Sequence, residues 1–271
     1  GQTGAVACSY LIVTSGRTGS SLLAHALART GVHGTPDEHL AVPDVDAWAE
    51  RLDVASPLTG GSMRTYLDAL RAATATPNGA FGTKLHTAAL ATVTRALARE
   101  PGAPEGSAAL LRWAFPDTAV VWSRRHDRVR VAFSLWQARA TEAWARPADA
   151  PRAPAPDGDP APPPHDEISE LHRLLHVTDV SVRALLDRAG MPVHEVVYED
   201  LVARWDDEVL ATRRFLGEHD ARGPVPPPTL ARQSGDRTDA LVERWVAATG
   251  GCPACGQAAR PTGADVLTSP P

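Results

Sequence analysis

Residues 10–23 read YLIVTSGRTGSSLL, which is an apolar run, a glycine-containing turn and the start of a leucine-rich helical pattern. The apolar run predicts a buried strand, and the leucines and alanines after the turn repeat with the spacing of a helix face. Gly16 and Gly19 give the turn the backbone freedom to curl closely around a ligand. This order constrains the fold most, because the free N–H groups at the start of such a helix form an anion site.

The turn lacks one residue of the nucleotide-binding loop called Walker A. That loop has a lysine directly before its hydroxyl residue, where the lysine reaches the terminal phosphates of a nucleotide. In this chain Gly19 occupies the lysine position, and the cation of the turn is Arg17. The turn is therefore predicted to bind a phosphate-bearing ligand other than ATP or GTP.

The charge balance of the 271-residue chain limits what it can bind. A net charge of −5 argues against a general nucleic-acid binder, which needs a basic excess to neutralise phosphates. The apolar runs are too short for a membrane span, and no signal peptide is visible. Three cysteines do not make a disulfide framework, so a protein of the reduced cytoplasm is expected.

Apolar runs of strand length alternate with helical patterns, which is typical of an α/β fold with a parallel sheet flanked by helices. The whole chain, residues 1–271, is predicted to form one P-loop-like domain. The predicted strands are Tyr10–Thr14, Phe81–Leu85, Ala119–Ser123 and Val193–Tyr198. The predicted helices are Ser20–Arg29, Ser62–Ala75, Thr87–Glu100, Ser107–Phe115, Asp127–Trp144, Asp166–Ala189, Asp206–Leu216 and Thr238–Ala248.

Two segments depart from this alternation. Residues 146–165 are rich in proline and alanine and cannot form a helix or the interior of a sheet. They are predicted to be either a surface insertion without regular structure or a mobile lid over a substrate cleft. Near the end, Cys252 and Cys255 have the spacing of half a zinc ribbon or of a redox pair, but zinc needs four ligands. We therefore predict no metal site, and a flexible tail from residue 250 onwards.

A second motif, AVVWSRRHDRVRVAFSLW at residues 119–136, runs from an apolar strand through arginines into a helix. Arginines at the carboxyl end of a strand lie at the crevice where open α/β sheets bind ligands. Arg125 and the hydroxyl of Ser134, two turns into the helix, suit a dianionic phosphate monoester. A kinase is expected to have an acid for Mg²⁺ at this strand end, and this chain has arginines instead.

The helix of this motif has one apolar face. Its members follow helical spacing and are predicted to be core: Val129, Ala132, Phe133, Trp136 and Ala140. Arg128 and Arg130 belong to the same helix and are predicted to form a solvated cluster.

Two phosphate sites on one sheet imply a nucleotide that carries phosphate at two places. Five segments, taken in order, resemble the bacterial Stf0 family of sulfotransferases. They are YLIVTSGRTGSSLL at 10–23, TGVHGTPDE at 30–38, FGTKL at 81–85, RRHDRVRVAFSLW at 124–136 and VYEDL at 197–201. The resemblance implies metal-free transfer of a sulfuryl group from 3′-phosphoadenosine 5′-phosphosulfate (PAPS) to a small-molecule hydroxyl. The product of the donor is 3′-phosphoadenosine 5′-phosphate (PAP).

The resemblance also implies which residues bind the nucleotide. Its 3′-phosphate is expected on Arg125 and Ser134, with the choice between Arg124 and Arg125 left open. A late basic loop commonly closes over the nucleotide in such enzymes, and here that role falls on Arg232 and Gln233. The 5′-phosphosulfate is expected on the first turn, at Ser15, Gly16, Arg17, Thr18, Gly19, Ser20 and Ser21.

The catalytic glutamate of the family falls on Glu38, in the sequence TPDE. Transfer to a hydroxyl needs a base to accept the proton, and Arg17 is expected to stabilise the charge that develops on the transferring group. Asp37 stands where the family usually has glutamine, so which carboxylate faces the acceptor stays open. Lys84 and His86 end the second predicted strand and are candidates for substrate binding, with a surface lysine as the alternative for Lys84.

Two other functions stay open at this point. A P-loop kinase acting on small molecules or nucleotides is disfavoured by the absent Walker lysine and the absent strand-end acid. A protein that binds the nucleotide without catalysis would use the same residues. These residues are equally compatible with a sugar and with a secondary metabolite as the acceptor. They are also compatible with a homodimer.

Overall fold

The computed structural model describes residues 9–142, 144, 163–222, 224–230 and 236–249. Several predictions concern residues outside these ranges. They are the roles of Cys252 and Cys255, the tail, most of the proline-rich segment, and the nucleotide contacts of Arg232 and Gln233.

The strands are β1 (Ser9–Thr14), β2 (Phe81–His86), β3 (Thr118–Arg124) and β4 (Val193–Val197). They form one parallel sheet in the order β2-β1-β3-β4. Thr14, the last residue of β1, pairs with His86 on one side and Ser123 on the other. The carboxyl ends of β2, β1 and β3 therefore meet at one edge of the sheet. The predicted α/β fold with a parallel sheet is confirmed.

Helices flank this sheet. They are α1 (Ser20–Arg29), α2 (Val42–Arg51), α3 (Met63–Thr74), α4 (Thr87–Leu97), α5 (Ser107–Ala114), α6 (Arg128–Thr141), α7 (His165–Ala189), α8 (Tyr198–Ala203), α9 (Trp205–Phe215) and α10 (Asp236–Thr249). The sequence did not predict α2, which buries only Val45 and Ala49, nor the six-residue α8. The fourth predicted strand is wrong at Tyr198, which begins α8. None of the described helices combines the length and the apolar character that crossing a membrane requires.

Strand β1 lies between two layers of apolar side chains. Leu11 and Val13 pack in a cluster with α3, α4, α5 and α7, whereas Tyr10 and Ile12 pack in a cluster with α1 and α9. This division follows from the alternation of side chains along a strand. Because both faces of β1 are buried, the position of the turn that follows it is fixed by the core.

Helix α6 contributes to a third cluster of buried residues, together with α7 and α10. Val129, Ala132 and Phe133 are buried there, as the sequence predicts. Ala140 is exposed, so the predicted core face is wrong at the last turn of the helix. The helix ends at Thr141 rather than Trp144, and in its last turn Ala138 is the buried residue instead of Ala140.

The predicted solvated arginine cluster on α6 is also wrong. Arg128 Nε lies 2.9 Å from Asp179 Oδ2 of α7. Arg130 pairs with Asp127 at 3.1 Å and with Asp239 of α10. Both arginine side chains are largely buried, since carboxylate partners offset part of the cost of removing their charge from water.

Candidate active site

The turn after β1 has the backbone geometry that binds anions. Gly16, Arg17 and Gly19 have positive φ values of 86°, 57° and 78°. Helix α1 begins directly afterwards at Ser20, with Gly19 as its N-cap and no side-chain cap. The first N–H groups of a helix have no acceptor within the helix. These donors therefore suit a bound anion in place of a capping side chain.

Thr18 ties this turn to the sheet. Its hydroxyl lies 2.7 Å from Thr14 Oγ1 and 2.9 Å from Ser123 Oγ, and the Ser123 hydroxyl is 3.1 Å from the Thr18 carbonyl oxygen. The Thr18 side chain thus points into the protein and holds β1 and β3 together. Its predicted contact with the nucleotide would have to use the main chain.

Gly19 is packed against the first residue of α8. A Cβ atom on Gly19 would lie 2.8 Å from Cδ2 of Tyr198, closer than such carbon atoms approach in proteins. The positive φ and this close approach both require glycine. The turn is therefore fixed on one side by Thr18 and on the other by Tyr198.

The side chain of Arg17 extends from the turn towards α6. Its Nε donates to Ser134 Oγ at 2.8 Å, and its Nη1 donates to the Trp144 carbonyl oxygen at 2.5 Å. Burial, followed by the nearby Arg125, lowers the pKa of Arg17. The sequence had paired Ser134 with Arg125, whereas the structure joins Ser134 to Arg17. The two predicted phosphate sites therefore adjoin each other.

Arg125 lies at the end of β3 and is 7% exposed. Its guanidinium is 4.4 Å from the centre of the Tyr198 ring, and its Nε is 3.5 Å from Glu199 Oε1. That Nε makes no hydrogen bond among the described residues. Arg124 instead pairs with Glu195 at 2.9 Å. Of the two arginines, Arg125 is the one near Arg17 and the first turn.

Glu38 and Lys84 form an ion pair at the carboxyl end of β2. Lys84 Nζ lies 2.5 Å from Glu38 Oε1 and 2.9 Å from Ser21 Oγ, in the first turn of α1. His86 Nε2 lies 3.3 Å from the same glutamate oxygen, in contact but not aligned as a hydrogen bond. The Lys84 side chain is 2% exposed, so the alternative of a surface lysine is wrong.

The electrostatics of this cluster keep Glu38 ionised. His86 first, and Lys84 as well, lower the pKa of Glu38 to about 2, although burial acts in the opposite direction. A carboxylate with so low a pKa is a weak base, since the proton affinity of a base falls with its pKa. The structure thus places the Glu38 carboxylate beside the first turn of α1 and keeps it in its deprotonated form.

Asp37 differs from its neighbour in exposure and in contacts. Its Oδ1 accepts the N–H of Glu38 at 2.8 Å, and its carbonyl oxygen accepts the N–H of Lys84 at 2.9 Å. Its side chain is exposed, whereas Glu38 turns towards Lys84 and His86. Between the two carboxylates, Glu38 is therefore the one held inside the cluster.

Sequence reasoning missed His39, which supports the loop that carries Glu38. His39 is buried, with Nδ1 at 3.1 Å from Thr83 Oγ1, and its carbonyl oxygen accepts the Tyr66 hydroxyl at 2.6 Å. Burial lowers the pKa of His39 to about 4, so it is neutral at physiological pH. A histidine directly after a candidate catalytic glutamate is the only signal the sequence offers.

Glu199 was missed as well, although the VYEDL segment contains it. Its Oε2 accepts the N–H of His126 and its Oε1 the N–H of Asp127, both at 3.1 Å. These contacts hold the turn between β3 and α6 beside Arg125. An acid just past the last strand of a parallel sheet could have suggested this role, since that strand ends at the same edge.

An uncapped helix N-terminus lies beside a buried arginine at one edge of a parallel α/β sheet, an arrangement suited to binding phosphate. Residues 9–248 match the family described as Stf0 sulphotransferase, and the chain belongs to that family. It is similar to the trehalose 2-sulfotransferase of Mycobacterium tuberculosis, with 27% identity over 87% of this chain and 93% of the relative. The trehalose 2-sulfotransferase of Mycolicibacterium smegmatis is 27% identical over 88% of this chain and 94% of its own.

Proposed function

We propose that this protein transfers a sulfuryl group from PAPS to a hydroxyl group of a small molecule, with Glu38 as the general base. The observation that carries the proposal is the position of Glu38. Lys84 links its carboxylate to Ser21, in the first turn of the helix that offers its N-terminus to an anion. Membership of the Stf0 family supports sulfuryl transfer as the chemistry.

The residues present fit a nucleotide with two separate phosphate groups. The N-terminus of α1 has no side-chain cap and suits the 5′ group. The buried Nε of Arg125 makes no hydrogen bond among the described residues, which suits a second anion. Arg17 reaches from the first site to Ser134, so it is in a position to contact either phosphate.

The donor supplies an activated sulfuryl group. The chain supplies a proton acceptor in Glu38, and a general base of this kind accelerates proton transfer by about 10²–10⁴-fold. Fixed N–H donors at the start of α1, together with Arg17 and Lys84, stabilise negative charge at the 5′ group. Thr18 keeps these donors in place through its bonds to β1 and β3.

The acceptor is proposed to be a hydroxylated small molecule, and a sugar is the first class to test. Both similar proteins named above are trehalose 2-sulfotransferases. Asp37 is exposed next to Glu38 and is a candidate hydrogen-bond acceptor for a second hydroxyl of such a molecule. His86 is only partly buried and lies 3.3 Å from the Glu38 carboxylate, so it is a second candidate for contact with the acceptor.

The test is an acceptor screen with labelled PAPS, in which mass spectrometry identifies each sulfated product. Trehalose, other sugars and hydroxylated aromatic compounds form the panel. A sulfated product supports the proposal, whereas consumption of ATP with Mg²⁺ would identify a kinase. Binding of PAP without transfer to any acceptor would indicate a nucleotide-binding protein.

The identity of the donor nucleotide is tested by measuring the melting temperature of the protein with different nucleotides. PAP should raise the melting temperature far more than AMP at equal concentration, because a ligand that binds only the folded state stabilises it by mass action. Equal shifts from PAP and AMP would contradict the two-phosphate site.

A further inference from the structure

Lys84 occupies a position between the proposed donor site and the proposed base. Its ammonium contacts the Ser21 hydroxyl of α1 on one side and the Glu38 carboxylate on the other. Its side chain is almost fully buried, so bulk water does not replace these partners. Because Ser21 lies at the start of α1, an anion bound at that helix N-terminus would lie within reach of the same ammonium.

We propose that Lys84 is a catalytic residue that pairs with Glu38 in the free enzyme and transfers its hydrogen bond to the 5′ group of the donor when the donor binds. This inference rests on the proposed function. The donor thereby removes the Lys84 hydrogen bond from Glu38, so the base becomes more basic only when the 5′ group of a nucleotide is bound. Ser21 guides the ammonium, since its hydroxyl lies at the start of α1.

The reaction balances with these residues. The acceptor oxygen forms a bond to sulfur, while the bond between sulfur and the bridging oxygen breaks. The electron pair of that bond remains on the bridging oxygen, which becomes part of the 5′-phosphate of PAP. The acceptor proton passes to Glu38, and Lys84 donates a hydrogen bond to the 5′ group without giving up a proton.

Other charged groups lie near the Glu38–Lys84 pair. The effect of the pair on PAP affinity therefore has to be separated from theirs. His86 of β2 contacts Glu38, and His25 of α1 lies within electrostatic range of Lys84. Asp37 of the same loop and Asp44 of α2 add negative charge nearby. A variant that removes one negative charge without touching Lys84 is therefore needed, and Asp37→Asn supplies it.

The test is a double-mutant cycle measured by calorimetric binding of PAP, which keeps the 5′-phosphate and needs no turnover. Glu38→Gln removes the competitor for Lys84 and should tighten PAP binding about two- to fivefold, the size of a released ion pair. In a Lys84→Met background the same substitution should leave PAP affinity unchanged. Equal tightening in both backgrounds would mean simple charge repulsion and would overturn the proposal.

Asp37→Asn serves as the charge control, and unfolding curves show whether the Lys84→Met variant folds. Asp37→Asn removes a neighbouring charge and should change PAP affinity less than Glu38→Gln does. If Lys84→Met fails to fold, equal effects of these two carboxamide variants, or no effect of Glu38→Gln, would still overturn the proposal. If wild-type protein binds no PAP, the proposed function fails; if it binds PAP and transfers sulfate but the cycle shows no coupling, only the role of Lys84 fails.

Discussion

Two neighbouring turns follow parallel strands at the same edge of the sheet, but they satisfy their backbone donors in opposite ways. The turn after β1 leads into α1 without a side-chain cap. In the turn after β3, Asp127 caps α6 by accepting the N–H of Arg130 at 2.9 Å, and Glu199 accepts two further N–H groups. The first turn offers its main chain to an anion, whereas the second uses its main-chain donors internally and offers the side chain of Arg125.

This difference decides which substitutions should matter in each turn. A main-chain N–H is kept when one side chain is exchanged for another, so the main-chain donors of the first turn are vulnerable only through its conformation. The second turn loses its anion contact as soon as one guanidinium is removed. Glu38 belongs to neither turn, and its loss should affect the reaction while leaving both anion contacts in place.

The largest effect is expected for Glu38→Gln. Loss of the proton acceptor should lower turnover by about 10²–10⁴-fold, measured with saturating PAPS and the best acceptor of the screen. PAP binding should not weaken, because both turns remain intact, and the release of Lys84 from Glu38 should make it tighter. A parallel loss of PAP affinity would mean that Glu38 belongs to the donor site, and the separation from the two turns would be wrong.

Asp37→Asn is the control for that experiment, since the two carboxylates are adjacent in the chain. At saturating acceptor it should retain most of the turnover, because the Asp37 side chain does not contact Lys84 or His86. The amide oxygen of asparagine can still accept a hydrogen bond from the acceptor. If Asp37→Asn abolishes transfer while Glu38→Gln remains active, the base has been assigned to the wrong one of these two residues.

Gly19→Ala tests the conformation of the first turn. The positive φ and the clash with Tyr198 should together cost about 2–4 kcal/mol of unfolding free energy, measured with urea. The affinity for PAP and for adenosine 5′-phosphosulfate should fall together, since both ligands use this turn. Gly16→Ala is the matched control: it has the same φ problem, but its nearest atom would be 3.6 Å away. A smaller effect at Gly16 isolates the contribution of Tyr198.

Arg125→Ala tests the side-chain contact of the second turn. PAP affinity should fall by about 10–100-fold, the value of hydrogen bonds from a charged group. Adenosine 5′-phosphosulfate lacks the 3′-phosphate and should lose much less. The measurement is calorimetric binding of both ligands, and the same loss for both would show that Arg125 is not at a 3′-phosphate site. Arg124→Ala is the control, because Arg124 pairs with Glu195.

The smallest effect is expected for Glu199→Gln, which weakens the internal acceptor of the second turn. The loss of a charged acceptor should cost about 1 kcal/mol and lower the melting temperature by about 2–4 °C. Glu195→Gln removes the carboxylate that pairs with Arg124 and should shift the melting temperature less. If both variants melt as the wild type does, Glu199 does not stabilise the second turn.

The sequence predicts the sheet and the first turn well, because both depend on local patterns. Strand β1 has an unbroken apolar run and α1 follows two glycines, so their bounds could be read from residues 10–29 with an error of one residue. The same reading fails for α2, where only two positions are buried. It also fails at Tyr198, where the strand VHEVV passes directly into a helix.

The contacts of the site were less predictable, because they join residues that are distant in the chain. Lys84 is 46 residues from Glu38 and 63 from Ser21, and no local pattern shows that its ammonium is buried between them. The attachment of Arg17 to Ser134 spans 117 residues. The sequence indicated which residue types belong to the site, whereas the pairing among them depends on how the strands align.

The hydrogen bond that Arg17 Nη1 donates to residue 144 is accepted by a main-chain carbonyl oxygen. Every amino acid carries this oxygen, so the bond itself makes no demand on the identity of the side chain there. The indole of Trp144 is 54% exposed, which leaves it free to be exchanged. For protein engineering, position 144 is therefore a suitable attachment point for a label or an immobilisation handle that sits close to the anion site without altering a group that binds there.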